Sequence, residues 1–276
     1  MRICSYPSNE NVIHVKNQNT EYLQIRRLLE YEDKITHAYS LGIDKNYRTV
    51  SKDGKMTEQE KQKVEQNYKE LCEAIGASSL KIVRSNQFHT DKVECVENLK
   101  SFYKEKVEVD GICTNKKGIL LSTINADCIL LMFYDPVKNV IANTHSGWRG
   151  TLQRISVKTV EKMKEIYGSK AEDIICCICP SIRKCHFEVE KDVKEMFENE
   201  FKNLYNVNGI IEEKVLNLKW NIDTVEINKI ILQESGLKKE NIIDSQICSV
   251  CNKHLIHSFR VEKEGYGVET AIIGLK

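Results

Sequence analysis

The sequence predicts one domain of mixed α and β character, an α/β or α+β unit, and three observations carry that reading. The chain has 276 residues, enough to bury a substantial core without splitting. Apolar residues make up 41% and charged residues 29%, a globular balance unlike that of disordered or fibrous chains. Strand-like and helix-like periodicities follow one another with no internal repeat, low-complexity tract or Pro/Gly-rich linker to divide them, and only three prolines occur.

The first forty residues alternate β-like pieces, ICSY (3–6), VIHV (12–15) and EYLQI (21–25), with polar segments such as NQNT, the pattern of antiparallel strands. The polar segment from Lys45 to Lys55 reads as a mobile loop. Thr57 and Glu60 form a T-x-x-E capping box ahead of Val64, Tyr68, Leu71 and Ile75 at helical spacing, and Gly76 closes that helix. Leu80 to Arg84 alternate as a strand that breaks at Asn86, Gln87 and His89. Four strands follow, VEVDGICT, GILLSTI, CILLMFY and NVIANT, with a polar break at Asn125 to Asp127. HSGWRG is then a glycine turn, and Leu152, Ile155, Val160, Met163 and Ile166 give the next helix one apolar face ending at Gly168. Two more helices are expected over EVEKDVKEMFENEF and DTVEINKIILQES, the second started by Asp223 and stopped by Gly236. IIDSQI, HLIHSFRV and VETAIIGL read as the last strands.

Composition also narrows function. A formal net charge of +1 gives no broad basic face, so no nucleic-acid polymer is expected as a partner. The start MRICSYPSNENVIHV has no apolar core behind a basic head, and no stretch of about 18 uncharged apolar residues occurs, so no membrane partner and a cytoplasmic protein are expected. Eleven scattered cysteines without an export signal are expected to be mostly reduced thiols, with Cys176 and Cys177 of IICCIC serving as small core hydrophobes.

His89, Cys128 and His145 each adjoin a β-like run, so all three can project into one cleft. Two imidazoles and a thiolate suit Zn²⁺ and leave a fourth tetrahedral position for water or substrate. Spacing leaves open the alternative that each is a separately satisfied polar residue. In HSGWRG, Gly147 and Gly150 permit a tight turn before a helix, where backbone N–H groups attract anions and Arg149 could clamp a phosphate or carboxylate. Equally, Trp148 could anchor the turn in the core with Arg149 as a surface ion-pair partner. Cys248 and Cys251, with His254, resemble half a zinc knuckle whose second half is not found at suitable spacing, so they read as unremarkable. Cys185 and His186 adjoin, but neighbours on a strand diverge, which argues against a nucleophile pair.

NQFH, NADC, HSGWRG and CPSIRKCHFEV, in that order, resemble the YfiH-like family, also called multicopper polyphenol oxidase or laccase-domain proteins. The resemblance runs from about His37 to the C-terminus, with VDGICT, ADCILL and SFRVEKEG in register. It implies one α+β domain over residues 1–276, with mixed β-sheets packed between helical layers in an α/β/β/α-like order. It also implies a zinc on His89, Cys128 and His145, with Cu²⁺ as an alternative occupant. The implied activities are purine nucleoside phosphorylase, adenosine deaminase and methylthioadenosine phosphorylase, acting on purine nucleosides and phosphate, in a monomer or weak homo-oligomer. Gln87, Gly147 and Arg149 then become candidate substrate contacts.

Three departures stand out. The family's T-R-x-G-G segment reads Ser40, Leu41, Gly42, its G-P-x-I reads Cys179, Pro180, Ser181, Ile182, and its T-G-R reads Tyr266, Gly267, Val268. Two arginines that could contact substrate are absent, while all three ligand positions are intact. Asp127 is the candidate proton shuttle for deamination, or else a hydrogen-bond partner that fixes a ligand imidazole. Arg149 is the candidate phosphate clamp for phosphorolysis. Seven histidines, none in H-x-H pairs, argue against multicopper oxidation. The rivals are a cysteine hydrolase with Cys128 as nucleophile and His145 as base, and a metal-holding interaction protein without turnover.

Overall fold

A run such as CILLMFY, apolar at every position, has no face to offer water and must lie in a sheet covered on both sides. The computed structural model, which describes residues 8–49, 56–99, 102, 108–204, 209–214 and 218–276, shows this. Ile129, Leu131 and Phe133 point into one core, and Leu130, Met132 and Tyr134 into another.

Among the described residues there are two six-stranded sheets and one of three strands. The first sheet is ordered β1 (Val12–Lys16), β2 (Glu21–Ile25), β3 (Ile35–Leu41), β15 (Glu269–Leu275), β7 (Ile119–Asn125), β4 (Lys81–Arg84). The second is ordered β14 (Ile242–Asp244), β10 (Ile175–Ile178), β8 (Ile129–Asp135), β9 (Val140–Ser146), β6 (Gly111–Thr114), β5 (Val93–Cys95). Both are mixed: β4 pairs parallel with β7, β5 with β6 and β10 with β14, and the other pairings are antiparallel. The small sheet is β11 (Glu188–Val189), β13 (Lys219–Ile222) and β12 (Ile211–Lys214).

The inner faces of the two large sheets meet in the central core, where Leu121, Ala271 and Ile273 of one face Leu130, Met132 and Ile141 of the other. Asn143 of β9 is buried there. It donates to the carbonyls of Leu121 and Ala271 at 3.1 and 2.8 Å and accepts from Thr123 at 2.6 Å, stitching the two sheets by hydrogen bonds. Helix α2 (Glu58–Ala74) covers the outer face of the first sheet through Val64, Tyr68 and Leu71. Helices α4 (Ile155–Tyr167) and α6 (Thr224–Glu234) cover that of the second through Val160, Met163, Val225 and Leu232. The α/β/β/α layering is therefore as expected. Burying each such large apolar side chain contributes about 1.5–3 kcal/mol.

Local signals fare unequally. The capping box at Thr57 is complete in both directions, and Asp223 accepts from the Glu226 N–H at 2.9 Å to start α6. The single helix expected through Leu152 and Ile155 to Gly168 is instead a short α3 (Trp148–Leu152) followed by α4, because Arg154 between them is left-handed, with φ 57°. Ile166, expected on the apolar face, is 47% exposed. HLIHSFRV is no strand: it forms turns and a short helix α7 (Phe259–Glu262), while His257 is drawn inward by bonds to Glu262 and the Lys45 carbonyl. Tyr47 within the expected loop is fully buried, its N–H bonded to the Val268 carbonyl, and only residues 50–55 of that segment lie outside the described residues. The ICSY strand lies outside them too. Helices α1 (Arg26–Leu29) and α5 (Lys191–Glu200) lie elsewhere in the described chain. No helix among the described residues is long and apolar enough to cross a membrane.

Candidate metal centre and its cavity

The three expected ligands converge. His89 stands in the loop after β4, Cys128 ends the short link from β7 to β8, and His145 is a buried residue of β9. Cys128 Sγ lies 3.9 Å from His89 Nε2, the two imidazoles meet edge to face at 4.9 Å between centroids, and all three donor atoms lie within 4.8 Å of one another. A tetrahedral zinc with S and N ligands spans about 3.6 Å between a sulfur and a nitrogen, so the donor set and its spacing fit a metal ion.

Asp110, which sequence reasoning did not single out, draws these groups together from a fully buried position. Its carboxylate accepts from the backbone N–H groups of Phe88, His89 and Thr90 at 3.2, 3.0 and 2.7 Å and from the Thr90 hydroxyl at 2.8 Å. It also accepts from His145 Nδ1 at 2.7 Å, which fixes the proton there and leaves Nε2 as the metal-facing lone pair. A signal was present, since Asp110 is an acid standing immediately before the apolar run of β6.

Burial alone would raise the Asp110 carboxyl, but the bonds from His145 and Thr90 hold it below the ordinary carboxylate value. Burial likewise works against the Cys128 thiolate, yet the imidazoles of His145 and His89 bring that thiol down to about 6. Against the same burial penalty, Cys128 and Asp110 raise His145 to about 9. Without a metal, Cys128 and His145 therefore form a thiolate–imidazolium pair at neutral pH, and a metal would displace the imidazolium proton.

Gly147 sits against the ligands. A Cβ there would lie 2.6 Å from His89 Cδ2 and 3.4 Å from Cys128 Sγ. Gly147→Ala should therefore push the His89 ring off its position and weaken metal binding about 10–100-fold, as disturbance of a ligand's supports does elsewhere. Competition with a chromophoric chelator measures this, and unchanged affinity would show that the ring has room to move.

The cluster forms part of the lining of a cavity of about 600 Å³. Trp148, Phe187, Phe259 and Tyr266 offer it aromatic surface, and Arg48 and Arg260 are lining residues whose guanidinium groups donate to the Tyr266 and Glu188 carbonyls at 3.4 and 3.1 Å. Val268, at the position of the absent family arginine, also lines it, whereas Leu41 is fully buried in the core. Asp127, the candidate proton shuttle, lies in the lining, but it fixes no ligand imidazole. Its carboxylate accepts from the Ser249 hydroxyl at 2.6 Å and the Arg260 N–H at 2.7 Å, and burial raises it above the ordinary carboxylate value. Gln87 lines the cavity too, but its amide is bonded at both ends to the backbone of Ile124, at 2.7 and 2.8 Å.

Arg149 is exposed, stacked 4.2 Å over the Trp148 ring, and stands outside the cavity lining. Helix α3 behind it is only five residues long. The Cys248–Cys251 pair, expected to be unremarkable, instead meets Cys185 and His186 in a second group of potential metal ligands. The two halves are far apart in sequence. Cys185 and His186 occupy a turn rather than a strand, so adjacent side chains converge. His254 is not part of this group.

A family model described as multi-copper polyphenol oxidoreductase laccase matches residues 42–276. A Bacillus subtilis (strain 168) protein named purine nucleoside phosphorylase YlmD is 30% identical over 200 residues, 70% of this chain and 70% of that one. A protein named adenosine deaminase RL5, from an unknown prokaryotic organism, is 30% identical over 196 residues, 69% of this chain and 73% of that one. The crystal structure of the Bacillus licheniformis hypothetical protein YfiH superposes with a TM-score of 0.79 at 23% identity, covering 95% of this chain and 99% of that chain, a likeness of fold.

Proposed function

This chain belongs to the multi-copper polyphenol oxidoreductase laccase family, and from that premise we propose that it is a zinc-dependent purine nucleoside enzyme rather than a copper oxidase. It would phosphorolyse adenosine, inosine, guanosine and methylthioadenosine and deaminate adenosine at one site. The observation that carries this reading is the His89–Cys128–His145 cluster opening into an aromatic cavity with two guanidinium groups. The names of the relatives give the same two reaction classes. Among the described residues, potential His/Cys metal ligands gather in two groups, one with two imidazoles and one with a single imidazole, which falls short of the many imidazoles a multicopper centre requires.

Zinc on the three ligands would supply a Lewis acid with one open coordination position. The chain's own residues do the rest. Asp110 keeps the His145 imidazole in the tautomer that faces the site. Asp127, whose carboxyl burial keeps readier to hold a proton, would give a proton to the departing purine or carry one during deamination. The aromatic side chains offer faces on which a purine can stack, and enclosure by them limits water around the reacting bond. Arg48, itself stacked 4.4 Å over Tyr266, and Arg260 are the groups for phosphate.

The test is adenosine turnover, following inosine without phosphate and adenine with it. Arg260→Ala or Arg48→Ala should lower phosphorolysis by about a hundredfold, the worth of a charge-assisted contact of roughly 2–3 kcal/mol, and deamination much less. Arg149→Ala should spare both. Equal losses in the two reactions would mean that the arginines shape the cavity without holding phosphate, and no turnover of any nucleoside by metal-loaded protein would remove the proposal. The thiolate–imidazolium pair of Cys128 and His145 keeps one rival in view, a cysteine hydrolase. That enzyme would work fully after metal removal, and this one would not.

A further inference from the structure

We propose that Cys185, His186, Cys248 and Cys251 hold a second zinc ion, in a closed four-ligand site that braces one wall of the cavity. Three thiolates and an imidazole are a soft donor set, and four protein ligands leave no open position, as in sites that stabilise structure rather than catalyse.

The geometry points there directly. Cys185 Sγ lies 3.6 Å from Cys248 Sγ and 4.0 Å from Cys251 Sγ. His186 Nδ1 lies 3.2, 3.6 and 3.6 Å from the sulfurs of Cys185, Cys248 and Cys251. All four donor atoms fall within 4.8 Å of one another. A tetrahedron built on zinc–sulfur and zinc–nitrogen bonds of about 2.3 and 2.05 Å has edges of about 3.8 Å between sulfurs and about 3.6 Å from sulfur to nitrogen. The five distances given lie within about half an ångström of these, and the sixth, between Cys248 and Cys251, is within 4.8 Å.

The backbone prepares the site. Cys185 and His186 stand in a turn closed by the N–H groups of His186 and Phe187, which both donate to the Arg183 carbonyl, at 2.8 and 2.9 Å. Cys248 to Cys251 form the turn after β14, with the Asn252 side chain donating to the Cys248 carbonyl at 2.9 Å. The segments carrying the two turns are joined by a bridge between Ser181 and Cys248 and by a two-pronged ion pair of Arg183 with Asp244 at 2.7 and 2.6 Å. Each ligand pair also adjoins the cavity. Phe187, next to His186, lines it. Ser249, between the two cysteines, bonds Asp127 at 2.6 Å. A metal tying the turns together would therefore hold both Phe187 and the proton-carrying carboxylate in place.

The test uses full-length protein purified reduced and without chelator, with metal measured by mass spectrometry and secondary structure by circular dichroism. Wild type should hold about two zinc ions per chain and Cys251→Ser about one. Folded Cys128→Ser should retain about one, whose X-ray absorption shows a shell of about three sulfurs and one nitrogen. That measurement decides the matter even if Cys251→Ser fails to fold, because it leaves the second site intact. It also separates the two sites: failure at His89–Cys128–His145 would leave wild type and Cys128→Ser alike, each with one sulfur-rich zinc. Cobalt substitution should give thiolate charge-transfer bands that persist in Cys128→Ser and are absent when Cys128→Ser and Cys251→Ser are combined. Metal-free, folded Cys128→Ser, or a chain lighter by two hydrogens through a disulfide at this place, would overturn the proposal.

Discussion

Cys128→Ser should leave a folded chain that no longer retains an ion between His89 and His145 and, on the proposed activity, turns over nucleosides at least about a thousandfold more slowly. The reason is chemical rather than steric. The thiol at this position is brought down to about 6 by its two imidazoles, so it is a thiolate at neutral pH, whereas a serine hydroxyl stays protonated and binds zinc poorly. Removing a Lewis acid worth several kcal/mol of barrier costs about 10³ in rate when about 4 kcal/mol is lost. The fold should survive, because Cys128 belongs to the link between strands and the central core is built from aliphatic side chains on both sheets. Metal analysis, circular dichroism and turnover on one preparation check all three statements. Full turnover from protein with an empty site would detach the metal from catalysis.

Asp110→Ala should do wider damage, lowering stability by about 3–5 kcal/mol and metal affinity by about 10–100-fold. Three backbone N–H groups, a hydroxyl and an imidazole would lose their common acceptor in a buried place, and each orphaned donor costs about 1–3 kcal/mol unless water reaches it. Asp110→Asn keeps one carbonyl oxygen and should recover part of the stability, but its amide hydrogens would meet the same donors. Urea unfolding of the metal-free proteins isolates the first effect and chelator competition the second. Near wild-type stability in Asp110→Ala would show that water fills the gap.

What could be read from the residues depended on how local the cause was. The helix from Glu58 was legible because its start signal, Thr57 with Glu60, and its apolar spacing both lie within a few turns. Strand β8 was legible because burial on both faces leaves no polar alternate. The break at Arg154 was not, since no glycine or proline marks the left-handed residue there. HLIHSFRV alternates like a strand, but Glu262 takes both the His257 ring and the Ser258 N–H, bending the segment into turns. The three ligands of the metal centre needed a family pattern to be grouped, because spacing says nothing about which strand ends meet. The second ligand group was hidden for the same reason, its two halves being brought together by tertiary contacts such as the bridge between Ser181 and Cys248.

The link from Asn125 to Cys128 carries the chain from one large sheet to the other, with His89 supplied from the loop beside the first sheet and His145 from a strand of the second. The ligand set is thus complete only after the two sheets have docked, which would make capture of an ion a late event in folding. Distant pairings of this kind close slowly, so a newly made chain should pass through a compact stage that has its core but no coordination, and zinc should lower the rate of unfolding more than it raises the rate of folding.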